Sequence, residues 1–449
     1  MNRKNIPLKK NKRRAKRRGQ ISASGAVLCM LSVVLGVFLL FTTMNSGEEG
    51  KEDTGIQVLS AQVLAAQAQP LATPTPEPTA EPTPTPTPVP TPVPTPEPTP
   101  QNARIRFAGD LVVHTNVLEG AYNKQDKAYD FTPVFEHIAE SLSDADYTIA
   151  NIDGALCGNE KRPYAGYPNF NTPPELIAAL RVSGVDMLTL GNNHALDAYF
   201  DGLKGTIANC EKYSMNFVGG ARSQTERDKA KIVDVNGISV GFLNYTESAN
   251  RMEKHCDSDA VTYGIRFLKD ADFAADIRKA RNAGADVVVV YAHWGTEYDL
   301  YPDDTQLYYA ERIAAAGADV IIGGHPHTVQ PAQWLETTRD DGTKGRTLVL
   351  YSLGNFLADK RNEQCDAGII FEFTIQKAER GYEIVSPKYI PTYICRGGNG
   401  KYFYKIVAAG QWLEERPDGM SPGIQNKVIG AWERILDHMG TDVAVPIEG

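Results

Sequence analysis

Cysteine is scarce in this chain. Of six in 449 residues, Cys29 lies in an apolar run, and Cys157, Cys210, Cys256, Cys365 and Cys395 are scattered beyond it without a CxxC pair. That pattern excludes a disulfide framework and a zinc-finger arrangement; one bridge fits, with no pairing favoured. The adjacent trio His255-Cys256-Asp257 reads as an exposed polar loop. Acidic residues are absent from the first twenty positions, which carry ten Lys and Arg. The formal net charge is −9, so setting aside those ten positive charges leaves −19 on residues 21–449. A balance that acidic argues against nucleic acid as the partner of this larger part.

Charge is also missing from Ala26 to Met44, nineteen residues that read AVLCMLSVVLGVFLLFTTM. As a helix they reach roughly 28 Å, enough for the hydrocarbon core of a bilayer. The basic flank places the N-terminus in the cytoplasm and everything after Met44 outside. A membrane anchor is expected rather than a cleaved signal peptide. The only small-x-small site nearby, Ala66-Gln67-Ala68, is too distant. The basic tail is a topology signal that also touches anionic lipid heads. Pro70 to Pro100 then holds half of the 28 prolines. Such a tract favours polyproline II and reaches on the order of 80 Å. A stalk is expected, since the alternative, an SH3-type ligand, belongs to the cytosol. The predicted organisation is a basic cytoplasmic tail (1–25), a transmembrane helix (26–44), a Pro/Thr-rich linker (45–103), a globular domain (104–400) and a C-terminal helical segment (401–449).

Within the globular part, four stretches repeat one grammar: an aspartate, a short apolar run, then a residue of metal-ligand type. Asp146 leads to Asp153, Asp186 to Asn193 with His194 next, and Asp286 through four valines to His293. The fourth is offset, Asp319 leading to His325 with His327 just beyond. Three are preceded by Ser183-Gly184, Ala283-Gly284 or Ala316-Gly317, which read as helix stops. Each unit is therefore predicted as helix, Gly stop, buried parallel strand and a polar residue at the strand's C-terminal end. In α/β sheets that edge is where ligands bind. Helices are predicted over 173–181, 201–213, 271–282, 306–316 and 423–439. Strands are predicted over 105–108, 347–351 and 368–375. Asn236-Gly237 joins a hairpin of 231–235 and 238–244.

The candidate ligands are Asp110, Asp153, Asn193, His293, His325 and His327, with His194 and His114 beside them. Taken singly, each has a bland reading: a helix cap, a turn residue, a satisfied core histidine. Five of only eight histidines fall in these motifs, and all fall at one predicted edge. Two divalent cations a few Å apart need a bridging carboxylate, for which Asp153 is the candidate. Imidazole and carboxylate suit zinc, manganese or iron better than calcium. Such a pair activates water and polarises a phosphoryl oxygen. His194, beside a ligand, could protonate a leaving oxygen.

The ordered set Gly109-Asp110, Asn151-Ile-Asp153, Gly191-Asn-Asn-His194, His293-Trp-Gly-Thr-Glu297, Gly324-His-Pro-His-Thr-Val-Gln-Pro331 and Tyr351-Ser-Leu-Gly-Asn-Phe356 resembles the CapA family of poly-γ-glutamate capsule synthesis proteins. That family looks like a branch of the calcineurin-like metallophosphoesterases. The resemblance covers about 104–400. It implies a four-layer α/β/β/α sandwich and a role in making, exporting or tethering an anionic γ-glutamyl polymer. Carried over residue by residue, Asp110, Asp153 and His327 would hold one metal, and Asp153, Asn193, His293 and His325 the other. His194 matches the histidine beside the metal-binding Asn. Two positions depart from the pattern. The phosphoesterase histidine two residues after the first Asp is Val112 here, leaving His114 as the nearest substitute. Asp153 stands where capsule proteins usually carry Glu.

Three functions remain in view. One is a membrane-tethered metallohydrolase acting on phosphodiesters or envelope components. The second is a capsule-polymer assembly subunit, with the membrane, the anionic polymer and other capsule-synthesis membrane proteins as partners. The third is a non-catalytic polymer-binding module. Six of seven expected ligand positions have plausible occupants, which disfavours the last.

Overall fold

The computed structural model describes residues 102–449, except 161, 341, 361, 363, 398–402 and 417–420. The transmembrane helix expected over 26–44 and the stalk lie outside the described residues. Among the described residues no helix is long and apolar enough to cross a membrane.

Two sheets carry the fold. The first runs Phe403–Ala408, Tyr382–Gly397, Ala367–Lys377, Asn102–Leu111, Tyr147–Ile152, Met187–Thr189, Asn216–Val218 in spatial order, with Asn355–Leu357 beside the Asp110-bearing strand. The second runs Val329–Thr338, Lys344–Leu353, Val320–Gly324, Val287–His293, Ile238–Thr246, Lys231–Val235. All four strands of the repeated grammar pair in parallel. Valine-rich runs are what a parallel strand covered on both faces requires. Along Val287–His293 the period of two is explicit. Val287, Val289 and Tyr291 enter the core between the sheets, whereas Val288, Val290 and Ala292 pack outward on Phe273, Ile277 and Ile313 of the covering helices. The first sheet likewise presents Ile152 and Leu188 to Leu176, Leu180 and Ile207 of its own helices. Helices, sheet, sheet and helices are thus stacked in that order around three apolar cores, a mixed α/β architecture.

The leading aspartates are register pins. Asp146 accepts the Arg104 N–H at 2.7 Å and donates its own N–H to the Arg104 carbonyl at 3.0 Å. The same two-point clamp joins Asp186 to Thr148 (2.9 and 2.8 Å), Asp286 to Ser239 (2.9 and 2.7 Å) and Asp319 to Val288 (2.7 and 3.0 Å). A one-residue slip would turn every buried valine to the opposite face. Fixing each strand's start therefore fixes what emerges at its end. The Ser239–Asp286 clamp is open to water, so Asp286→Ala should cost only the net worth of a hydrogen bond, about 0.5–1.5 kcal/mol. Urea unfolding would measure this, with the metal content unchanged. The glycines that stop the preceding helices, Gly184, Gly284 and Gly317, have φ of +100°, +102° and +103°, a conformation costly for a residue with Cβ.

The C-terminal segment is continuous with this body. Phe403–Ala408 adds a strand to the first sheet, and the helix Pro422–Met439 places Ile424, Val428, Ala431 and Ile435 in the core between the sheets.

Candidate metal centre

Both sheets deliver their parallel strands to one edge, and the polar residues at those ends meet there. Asp110 stands near the end of Asn102–Leu111, Asp153 just past Tyr147–Ile152, and His293 ends Val287–His293. Asn193 follows Met187–Thr189, while His325 and His327 follow Val320–Gly324. Asp110, Asp153 and His327 each offer a ligand atom, and these atoms lie within 4.8 Å of one another. His327 Nδ1 is 3.3 Å from Asp110 Oδ2, and its Nε2 is 3.9 Å from Asp153 Oδ2. On the other side, His293 Nε2 lies 3.7 Å from Asp153 Oδ1 and 2.9 Å from Asn193 Oδ1. The His325 ring stacks obliquely on His293, centroids 4.8 Å apart. Asp153 is thus the residue shared by both groups.

Asp153 is 1% exposed, and neither of its oxygens has a hydrogen-bond partner. Burying an ionised carboxylate without such partners is costly unless a cation supplies the missing contacts. The buried His325 Nδ1 is also without one. Asp110 contrasts with it: Asn151 Nδ2 donates to Oδ1 at 2.8 Å, the Tyr291 hydroxyl to Oδ1 at 3.2 Å, and the His325 N–H to Oδ2 at 3.0 Å. His325 and His327 have φ of +97° and +59°, backbone strain of about 1–3 kcal/mol each that is retained at functional sites. Gly324 must lack a side chain, since a Cβ would stand 2.0 Å from the Tyr291 hydroxyl and 2.6 Å from Asp110 Oδ1.

The protonation pattern suits a cation-binding cluster. Burial pushes Asp153 up to about 6, against the pull of His194 and His327. Burial would raise Asp110 too, but His327, His293 and the His325 amide outweigh it and hold the carboxyl below its ordinary value. Burial lowers His293, and it takes His325 down to about 4, leaving both neutral at pH 7. In His327, burial is outweighed by Asp110, and the value rises. Protons and a metal compete for the same atoms. The stabilising proton of Asp153 is fully present below the unfolded value near 4 and is lost as pH rises through about 6, where a cation can replace it. Manganese affinity of the full chain is therefore expected to weaken steeply as pH falls from 7 to 5, measured by calorimetric titration.

His194 is turned to a different use. Its Nδ1 is 2.7 Å from Asp197 Oδ2, and Phe170 packs edge-on at 4.7 Å. Burial would lower this histidine, but Asp197 and Asp153 outweigh it and raise it. The Asn250 amide lies 3.4 Å from Nε2. The structure does not bring His114 into the cluster. Its Nδ1 accepts the Asp359 N–H at 3.1 Å, and its ring meets Phe170 edge-on.

Several contributors escaped the sequence reading. Tyr291 and Asn151 sit two residues before His293 and Asp153, on the same face of their strands, so period two could have found them. Asp197 follows His194 by three residues, an available signal. Asn250 has none, because its loop reaches the site only through the fold.

A mixed α/β protein with a buried Asp/Asp/His group able to hold a metal is the class defined so far. Residues 104–360 match the family of bacterial capsule synthesis proteins PGA_cap, and the chain belongs to it. It is 27% identical over 256 residues to the PGA biosynthesis protein CapA of Bacillus subtilis (strain 168), covering 57% of this chain and 64% of that protein. It is 29% identical over 259 residues to the capsule biosynthesis protein CapA of Bacillus anthracis, covering 56% and 59%. The chain thus spans less than two thirds of either relative. Among solved structures, the calcineurin-like phosphoesterase YfkN from Bacillus subtilis aligns over 75% of this chain and 98% of its own, with a TM-score of 0.39 and 16% identity.

Proposed function

We propose that this is a membrane-anchored, extracytoplasmic capsule-synthesis protein whose globular part is a divalent-metal hydrolytic site of phosphoesterase type. It serves the synthesis, export or tethering of a poly-γ-glutamate-type polymer, alongside other capsule-synthesis membrane proteins. One observation carries the metal reading: Asp153, buried between two ligand groups with both oxygens unpartnered. Asp110, Asp153 and His327 would hold one ion, and Asp153, Asn193, His293 and His325 a second. When bound, such ions supply Lewis acidity and a nucleophile from water at neutral pH. Asn151 and Tyr291 orient Asp110 through its Oδ1. Asp197 fixes the His194 ring and favours its protonated form, ready to give a proton to a departing oxygen. The basic N-terminus, the uncharged run 26–44 and the proline tract support the extracytoplasmic placement.

The test is complementation of a cell lacking the native protein. Wild type should restore surface polymer and Asp153→Ala should not, at equal surface abundance by labelling of intact cells. Full restoration by Asp153→Ala would defeat the metal-dependent reading. Failure of the wild-type protein to be labelled on intact cells would defeat the placement.

A further inference from the structure

A cavity of about 330 Å³ lies at the edges of the two sheets, lined by residues of Asn216–Val218, Lys231–Val235 and Ile238–Thr246 and of the loops beside them. Its charged lining is Arg222, Glu226, Arg227, Lys229, Lys231 and Arg266, five cations against one carboxylate. That reverses the acidic balance of the chain as a whole. The carboxylate is already engaged: Glu226 accepts Arg222 Nε at 2.9 Å and Nη2 at 2.7 Å. Glu211 takes the other side of the same guanidinium at 2.8 and 2.6 Å. Arg222 and Glu226 therefore offer little to a ligand, and the remaining cations decide what the cavity can hold.

Arg227 is the anomaly among them. It is half-buried, and among the described residues its guanidinium makes no hydrogen bond and no ion pair. Its nitrogens are not sealed from solvent. The charge beside it has the same sign: Arg266 Nη2 donates to the Arg227 carbonyl at 2.8 Å. Arg266 Nε lies 3.4 Å from Asp276 Oδ2, an oxygen that also accepts the Tyr245 hydroxyl at 2.9 Å. Burial, then Arg266, take Arg227 down to about 10, against the pull of Asp276 and Asp228, neither of which comes close enough to pair with it. Lys231 donates to Asn216 Oδ1 at 2.8 Å, has no carboxylate partner among the described residues, and is lowered by burial. Drawing a charge out of water without a counter-charge costs free energy. Here the fold does so with two cations on the wall of one cavity.

We infer that this cavity is an oxyanion-binding site, in which the free guanidinium of Arg227 seats a phosphate or carboxylate group and Arg266 and Lys231 add positive charge around it. A guanidinium presents two parallel N–H groups that match either anion. The volume is that of a small-molecule site. None of these residues belongs to the candidate metal centre, so the inference stands apart from the hydrolytic reading. The two places meet only at Asn244. Its Oδ1 accepts the Gly191 N–H at 2.7 Å and its Nδ2 donates to the Gly191 carbonyl at 3.0 Å, two residues before Asn193. On the cavity side it packs against Gly219, where a Cβ would stand 1.8 Å from Asn244 Oδ1. The site thus lies behind the loop that carries Asn193, not among its ligands.

The test uses the full chain in detergent, passed over a chelating resin so that no anion can bind through an ion at the Asp153 cluster. Inorganic phosphate and di-γ-glutamate are titrated into it calorimetrically at low ionic strength. Arg227→Gln is expected to weaken the anion that wild type binds about tenfold or more, the worth of a charge-assisted hydrogen bond. Arg227→Lys should recover part of the loss, since it returns the charge without the fork. Melting in anion-free buffer separates this from a structural role: Arg227→Gln should melt no lower than wild type, because it removes an unpaired charge. Tighter binding of phosphate assigns a phosphate ligand, and tighter binding of di-γ-glutamate a carboxylate. Binding of neither, equal affinity in Arg227→Gln, or a lower anion-free melting temperature for that variant overturns the site. Failure of the hydrolytic reading would leave these results untouched, since no arm of the test contains a metal.

Discussion

Asp153→Asn is expected to strip the full chain of nearly all its divalent metal and, once both proteins are metal-free, to melt higher than wild type at pH 7.5. The two effects have one cause. The carboxylate is 1% exposed and neither oxygen accepts a hydrogen bond, so the metal-free native state carries a buried charge that the histidines 3.7–3.9 Å away offset only in part. Neutralising it at nearly constant shape should stabilise that state by about 1–3 kcal/mol, the usual penalty for a buried unsatisfied group. In a body of this size that is worth several degrees. With manganese present the order should invert, because wild type gains binding energy that the variant cannot. Elemental analysis and calorimetry with and without chelator separate these outcomes. A lower metal-free melting temperature for Asp153→Asn would mean that the oxygens are satisfied within the protein.

What could be read in the sequence and what could not divides along a physical line. The helix stops and valine runs are local signals: Gly284 at φ +102° and the both-face burial of Val287–His293 follow from residues next to one another. The strand-then-ligand spacing was legible for the same reason, since strand length decides which residue emerges at the edge. The clamping role of Asp146, Asp186, Asp286 and Asp319 was not. Their repeated position was visible, but the residue each grips lies on a strand whose neighbour is chosen by topology. The same holds for Phe403–Ala408, recognisable as a strand only once Tyr382–Gly397 is beside it. The amphipathic helix near the C-terminus was apparent, but the surface it covers, the gap between two sheets, was not. At the site, the conspicuous ligand types stood out. Asn250 did not, because an amide in a loop gains meaning only from what faces it.

The second large effect separates His194 from its neighbour. His194→Ala should keep metal content at the wild-type level and lose roughly 10²–10⁴-fold in hydrolysis of an alkyl phosphodiester, whose leaving oxygen needs a proton, the worth of a positioned proton donor. Asn193→Ala should lose metal as well, because its Oδ1 lies 2.9 Å from His293 Nε2 inside the ligand group. Asp197→Asn tests why His194 is suited to this task. The carboxylate holds Nδ1 at 2.7 Å and opposes the burial that would otherwise lower the histidine. Without it the imidazolium should lose its proton at lower pH. The falling, high-pH side of the rate profile should then move toward acid, while the metal content stays. A rate loss in Asp197→Asn with an unmoved profile would make Asp197 a brace for the Phe170 backbone, whose N–H it also accepts at 2.7 Å, rather than the group that keeps His194 protonated. Equal metal loss in His194→Ala and Asn193→Ala would place His194 among the ligands. An unchanged rate in His194→Ala would leave proton delivery to another group.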